Sequence, residues 1–289
     1  MHPSLIPGNV AVITGAGVGG IGYATAVLLA TRYQLRVVLA DISASALTAA
    51  HDGLIAAGVA ESDIVARETD VSSFEDMKAL ADVAYEAYGH VDFLFLNAGT
   101  GGPSKDFAPG GDMEAWSKTL SVNLFGVLNG TQAFVDKMVQ QGTSGAVVIT
   151  GSKQGITQPP GNPAYNVSKS AVKSLAESLA HSLISTSLTA HLLVPGYTAT
   201  KLTNGGDIPS LDKKPAAAWT ADEVAEELFS RIENEFYIIC PDNDVTWELD
   251  AARIEWNAND ILQKRPALSR WHPDHKDAFA KFVEEKVKK

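Results

Sequence analysis

The chain has 289 residues, 45% of them hydrophobic and 20% charged, with a formal net charge of −11. This is a globular composition that excludes a disordered chain, and the length suffices to bury a core without disulfide or metal staples. The acidic balance excludes a nucleic-acid footprint, and no stretch approaches the ~18 uninterrupted apolar residues of a membrane-spanning helix.

Met1 to Asn9 show no basic segment leading into an apolar core, so no secretory signal is expected and the cytoplasm is the expected location. The first strand is predicted at Val10 to Thr14, followed by glycines and a helix whose apolar face carries Ile21, Ala24, Val27 and Leu28. A second strand, Arg36 to Ala40, ends in Asp41, and Ser43 can cap the helix that follows to about Ala57. Ile64 to Thr69 reads as a strand, and Ser72 to Glu75 as a capping box opening a helix to about Tyr88. Val91 to Leu96 is too continuously apolar for a half-exposed strand and is expected to be buried on both faces. Helices are predicted over 112–140 and 164–185, with strands at Ala146 to Thr150 and Thr189 to Val194. Thr220 to Glu223 caps a further helix, and Phe236 to Cys240 is the last strand. Cys240, the single cysteine, leaves no internal disulfide and reads as a buried structural thiol in a reducing compartment.

Seven strands alternating with six helices predict an α/β fold, a single doubly wound Rossmann-type domain with a seven-stranded parallel sheet. Residues 200–218, rich in Gly, Pro and Lys, predict a mobile loop over a site. Residues 245–289 carry Trp247, Trp256 and Trp271, too much aromatic surface to leave in water. The expected organisation is therefore a dinucleotide-binding and catalytic domain over 1–244. Residues 245–289 form a C-terminal extension packed on it or on a neighbouring subunit.

The glycines of Thr14-Gly15-Ala16-Gly17-Val18-Gly19-Gly20-Ile21-Gly22 allow a tight turn and a close approach to a pyrophosphate at a helix N-terminus. Asp41, ending the second strand, is placed to accept hydrogen bonds from ribose hydroxyls and to repel a 2′-phosphate. No Lys or Arg sits within the glycine turn or closely follows Asp41, so NAD(H) is preferred over NADP(H). Tyr165 and Lys169, four apart on a predicted helix, share one face. An ammonium beside a phenol of ordinary pKa ~10 lowers that value towards the range of a proton shuttle. His272 and His275 have no evident third ligand, so no metal is expected.

In combination these segments resemble the short-chain dehydrogenase/reductase family over roughly residues 8 to 242. The family's glycine turn appears as Thr14, Gly15, Gly20 with Ile21, and Gly22, and its strand-end motif as Leu96-Asn97-Ala98-Gly99. The residue that contacts adenine is similar to Asp70, in Thr69-Asp70-Val71. The catalytic Asn matches Asn123, and the catalytic Ser matches Ser152, thirteen positions before Tyr165. Pro195 and Gly196, with Thr198 and Thr200, match the segment that closes on the nicotinamide. Two departures stand out. Four residues rather than three separate Gly15 from Gly20, and Leu96 replaces an Asn.

The resemblance implies that Ser152 hydrogen-bonds the substrate oxygen and that Tyr165 exchanges a proton with it. Lys169 would hold the nicotinamide ribose and depress the Tyr165 pKa, while Asn123 would help position a water. The expected function is interconversion of a ketone and a secondary alcohol with NAD(H). Reduction of a C=N or activated C=C bond is the alternative, and a non-catalytic dinucleotide sensor is the reading from another class. Phe107, Ile156, Tyr197, Leu202, Ile208 and Leu211 predict a mainly apolar pocket for a medium-sized hydrophobic substrate. Lys153 is expected to face solvent. The family resemblance implies a homodimer or homotetramer with a small-molecule substrate as its other partner.

Overall fold

The computed structural model describes residues 1–101, 112–242 and 245–287. Its elements run β1 Val10–Thr14, α1 Ile21–Thr31, β2 Arg36–Asp41, α2 Ala44–Ala56, β3 Ile64–Glu68 and α3 Phe74–Tyr88. They continue with β4 Phe93–Leu96, α4 Met113–Leu120, a π turn Ser121–Phe125, α5 Gly126–Gln141, β5 Gly145–Thr150 and α6 Lys153–Thr157. Then come α7 Pro163–Ser182, β6 Leu188–Val194, β7 Thr198–Ala199, β8 Trp219–Thr220, α8 Ala221–Arg231 and β9 Tyr237–Ile239. Two helices close the chain, α9 Trp247–Leu262 and α10 Lys276–Val287.

The expected architecture is the observed one. Seven strands form a parallel sheet in the order β3-β2-β1-β4-β5-β6-β9. Alternate residues of each central strand enter opposite cores, as the period of two requires. Val10, Val12, Leu94 and Val147 join Met77, Phe134 and Val172 on one face. Ala11, Ile13, Phe93 and Val148 join Leu29, Leu54 and Leu228 on the other. Strand order reverses between β1 and β4, which opens a crevice at their carboxyl ends, where ligands of open α/β sheets bind.

Local chemistry shifts several boundaries. The α3 cap is Ser73, not Ser72: the Ser73 hydroxyl accepts from the Asp76 amide at 3.2 Å. Ser72 is held instead by Asp70, whose Oδ1 accepts from its amide at 2.9 Å and its hydroxyl at 2.7 Å. The helix expected over 112–140 is interrupted by the π turn, which re-aims the chain at Asn123. The box at Thr220 and Glu223 forms as expected. Leu96, the departure in the strand-end motif, packs against Gly130 of α5. The sequence reading missed α6, the β7–β8 pair and both C-terminal helices. Cys240 is buried, and burial pushes its thiol up to about 12.

Of the three tail tryptophans, Trp256 alone is buried. Its indole donates to Ser269 Oγ at 2.7 Å, and its ring meets Phe279 and Phe282 with the Arg265 guanidinium 3.7 Å away. Asn257 of α9 donates to the Thr157 carbonyl at 3.2 Å, tying this helix to α6. The expected boundary at residue 244 lies outside the described residues.

Candidate active site

A polar weld holds the carboxyl ends of β1, β4 and β5 together. Thr14 Oγ1 donates to the Phe95 carbonyl at 3.3 Å and accepts from the Asn97 and Ala98 amides at 2.9 and 3.2 Å. The Asn97 amide donates to the Thr14 and Gly15 carbonyls and accepts from Thr150 Oγ1 at 3.1 Å. Above this weld lies a cavity of about 790 Å³, within the range typical of small-molecule sites.

One end of the cavity is the glycine turn. Gly15 and Gly19 have φ of +65° and +93°, the left-handed region that side chains disfavour. Across the longer turn, the Gly17 amide donates to Asp41 Oδ2 at 2.9 Å, and the Ser43 amide to Asp41 Oδ1 at 3.0 Å. Ser43, not Asp41, caps α2. Gly20 precedes the first turn of α1 and brings no side chain to its N–H groups.

The other end holds the predicted chemistry. Ser152 caps α6, accepting from the Gln154 amide at 3.1 Å, which leaves its hydroxyl proton to donate elsewhere. The Lys153 amide donates to the Pro195 carbonyl at 3.0 Å and pins this turn to β6. Tyr165 and Lys169 lie one turn apart on α7, whose Asn162 cap and Pro163 set its first turn. Lys169 Nζ donates to the Thr150 carbonyl at 2.8 Å and sits 5.8 Å from the Tyr165 ring centre.

Burial dominates both groups. It pushes the Lys169 ammonium down to about 8 and raises the Tyr165 phenol, against which the Ser152 hydroxyl works. The expected lowering of Tyr165 by its lysine neighbour is thus reversed in direction. Asn123 is fully buried, with Oδ1 accepting from the Thr100 amide at 2.7 Å. Its Nδ2 donates to the Thr100 carbonyl and to Ser168 Oγ at 2.9 and 3.0 Å. That side chain positions the β4 end against α7.

Gly15, Gly20, Ile21, Asp41, Asn97, Ala98, Gly99, Ser152, Tyr165 and Lys169 all line the cavity, as do Pro195, Gly196, Thr198 and Thr200. Gly22, Asp70, Val71 and Asn123 lie outside its lining. The residues expected to form an apolar pocket divide. Tyr197 and Leu202 line it, whereas Ile208 belongs to a neighbouring cavity and Ile156 packs into the core. Leu211 is exposed away from the cavity, and Phe107 lies outside the described residues.

Lys153 is corrected outright. It is 8% exposed, with Nζ 2.6 Å from Asp250 Oδ2 and 3.1 Å from Asp242 Oδ2. Asp242 Oδ1 also accepts from the Tyr197 amide at 3.1 Å, and a Cβ on Gly196 would overlap its carboxylate. The C-terminal helix α9 therefore adds Asp250 and Arg253 to the cavity. Lys201 is a second residue missed: its amide donates to the Gly19 carbonyl at 2.9 Å, and its stem covers the glycine turn. No local sequence signal marks either contact.

Lys169 carries a stability consequence. With a folded value near 8 and an ordinary one near 10.5, the unfolded chain binds more protons between those limits. Stability therefore rises with pH across that window, and below it the burial penalty acts in full. Lys169→Met is expected to raise stability at pH 7 by on the order of 1–3 kcal/mol, after the lost hydrogen bond is deducted. That gain should shrink towards pH ~10, as the wild-type lysine itself becomes neutral. Equal gains in melting temperature at both pH values would contradict the buried ammonium.

Comparisons with known proteins agree with this fold. A family model described as short chain dehydrogenase matches residues 9–207. An uncharacterized oxidoreductase of Listeria innocua is 37% identical over 171 residues, covering 57% of this chain and 64% of that protein, slightly under two thirds of its length. A 3beta-hydroxysteroid dehydrogenase of Eggerthella lenta is 31% identical over 211 residues, covering 72% of this chain and 78% of its own. Among solved structures, a short chain dehydrogenase/reductase from Burkholderia phymatum in complex with NAD superposes with a TM-score of 0.79. It is 32% identical, covering 92% of this chain and 97% of that one. No helix among the described residues is long and apolar enough to cross a membrane.

Proposed function

The chain belongs to the short-chain dehydrogenase family, and from that premise we propose that it is an NAD(H)-dependent oxidoreductase interconverting a ketone and a secondary alcohol. The observation that carries this reading is the convergence of Ser152, Tyr165 and Lys169 at one end of a cavity whose other end is the glycine turn and Asp41. In this reading residues 1–244 are the catalytic unit, and 245–289 an extension that completes the cavity wall.

A dinucleotide fits the cradle. A Cβ on Gly17 would lie 2.9 Å from Asp41 Oδ2, and one on Gly15 would lie 2.9 Å from Ala98 Cα, so only glycine keeps this floor open. The N-terminus of α1 suits a pyrophosphate. Each Asp41 oxygen accepts one amide and retains a lone pair for a ribose hydroxyl. A 2′-phosphate beside that carboxylate would meet like charge, which favours NAD(H). Asp70 and Val71 are assigned to the adenine side and Asn97 to Gly99 to the nicotinamide side, with Thr198 and Thr200 closing over it. When bound, the nicotinamide supplies or accepts the hydride.

The chain's own residues handle the proton and the charge. Ser152 donates its free hydroxyl proton to the substrate oxygen, stabilising the charge that develops there. Tyr165, whose phenol burial keeps protonated, gives its proton to that oxygen during reduction and retrieves it during oxidation. Lys169, held by the Thr150 carbonyl, offers its remaining N–H groups to a ribose and its charge to the phenolate. Asn123 fixes the distance between α7 and the β4 end.

The test is a panel of ketones, imines and enones offered with NADH and with NADPH, following nicotinamide absorbance. Ketones are expected to be reduced, with NADH as the better donor. Turnover confined to imines or enones would move the chemistry to another bond, and no turnover at all would return the chain to a dinucleotide-binding role.

A further inference from the structure

The substrate end of the cavity carries charges that the hydride chemistry does not use. Ser152 is followed by Lys153, whose ammonium sits between Asp242 and Asp250. The second Asp250 oxygen accepts from Arg253 Nη1 at 3.1 Å. Asp250 is 1% exposed, and Arg253 is one carboxylate removed from the residue beside Ser152. Its side chain keeps 28% of its surface open and lines the cavity.

Lys153 bridges Asp242 and Asp250, and Arg253 meets Asp250 through Nη1 alone. Each carboxylate already has both oxygens committed, Asp242 to Lys153 and the Tyr197 amide, Asp250 to Lys153 and Arg253. A guanidinium has five N–H donors in a planar fork that matches a carboxylate. Arg253 spends one of those donors on Asp250 and lines the cavity, its other donors uncommitted among the described residues.

We propose that Arg253 binds a carboxylate on the substrate, so that the preferred ketone or alcohol is an acid. This rests on the oxidoreductase reading for the word substrate, and it refines the hydrophobic substrate expected from the sequence. The apolar body of such a molecule lies against Tyr197 and Leu202. Its charged end lies towards α9, and the reacting carbon lies at Ser152 and Tyr165. The C-terminal extension is thereby the specificity element of the site.

The experiment measures binding, by calorimetry on the full chain, of benzoylformate and a series of longer keto acids, each beside its methyl ester. Wild type is expected to bind the best acid about tenfold or more tightly than its ester, from a charge-assisted fork that the ester lacks. In Arg253→Met the acid-to-ester ratio is expected to fall close to unity, and Arg253→Lys to restore part of it. Melting curves of both variants check that the fold is retained. If no acid outbinds its ester, or if the preference survives Arg253→Met, the proposal is wrong. Binding is read without turnover, so reduction of neutral ketones with no acid preference would overturn the role of Arg253 and leave the oxidoreductase reading in place. An acid preference that depends on Arg253, with none of the series reduced, would do the reverse.

Discussion

Tyr165→Phe is expected to lower kcat about a thousandfold, within the range by which positioned proton transfer accelerates a reaction, while NADH affinity stays within a few-fold. The substitution removes one oxygen from a ring that α7 already holds, so packing and the cavity floor should persist. What disappears is the phenol proton, which in this reading is the one passed to the substrate oxygen beside the Ser152 hydroxyl. The pH dependence follows from the raised phenol. Reduction needs the protonated form, which burial maintains through neutral pH and above, so its rate should hold across that range. Oxidation needs the phenolate, so its rate should climb as pH rises towards the Tyr165 value. Retention of wild-type kcat within tenfold in Tyr165→Phe would take the tyrosine out of the chemistry.

Gly22→Ala is expected to cost about a hundredfold in dinucleotide affinity, the scale on which displacements of roughly 1 Å are felt in a positioned site. A Cβ there would overlap the Gly15 carbonyl oxygen and lie 2.7 Å from Asn97 Nδ2. Neither neighbour can yield freely, because Asn97 also joins β1 to β5 through Thr14 and Thr150. The start of α1 must therefore move away from the sheet, at roughly 1–3 kcal/mol for an overpacked contact. Gly20 is the control. A Cβ on Gly20 meets nothing within 4 Å, so Gly20→Ala should leave the melting temperature unchanged. Equal melting temperatures and NADH affinities for wild type and Gly22→Ala would remove close helix–strand packing from the account.

The central sheet was legible because its inner strands, such as Val10–Thr14 and Phe93–Leu96, are buried on both faces and read as continuous apolar runs. The glycine turn, Tyr165 and Lys169 were legible from local geometry, a strand end before a helix N-terminus and one helical turn, whereas Ser152 was legible only through the family resemblance. What stayed hidden depends on partners far along the chain. Lys153 faces inward because Asp250, nearly a hundred residues later, compensates its charge. Nothing near Lys153 in sequence announces that partner. The one-residue error at the α3 cap arose because Asp70 captures Ser72, a competition between two short polar side chains that spacing alone does not resolve. The list of pocket residues was incomplete for a related reason. Loop residues were credited to the cavity by their position, while α9 supplies part of the actual wall with Asp250 and Arg253.

The most direct measurement is a fluorescence titration of the purified protein with NADH and, separately, with NADPH, repeated on Asp41→Ala. The account predicts clear preference for NADH in the wild type and a weaker preference in the variant, because Asp41 holds the Gly17 amide and is the residue proposed to accept from the ribose. Tighter binding of NADPH would contradict the role given to Asp41, and binding of neither cofactor would contradict the dinucleotide cavity itself.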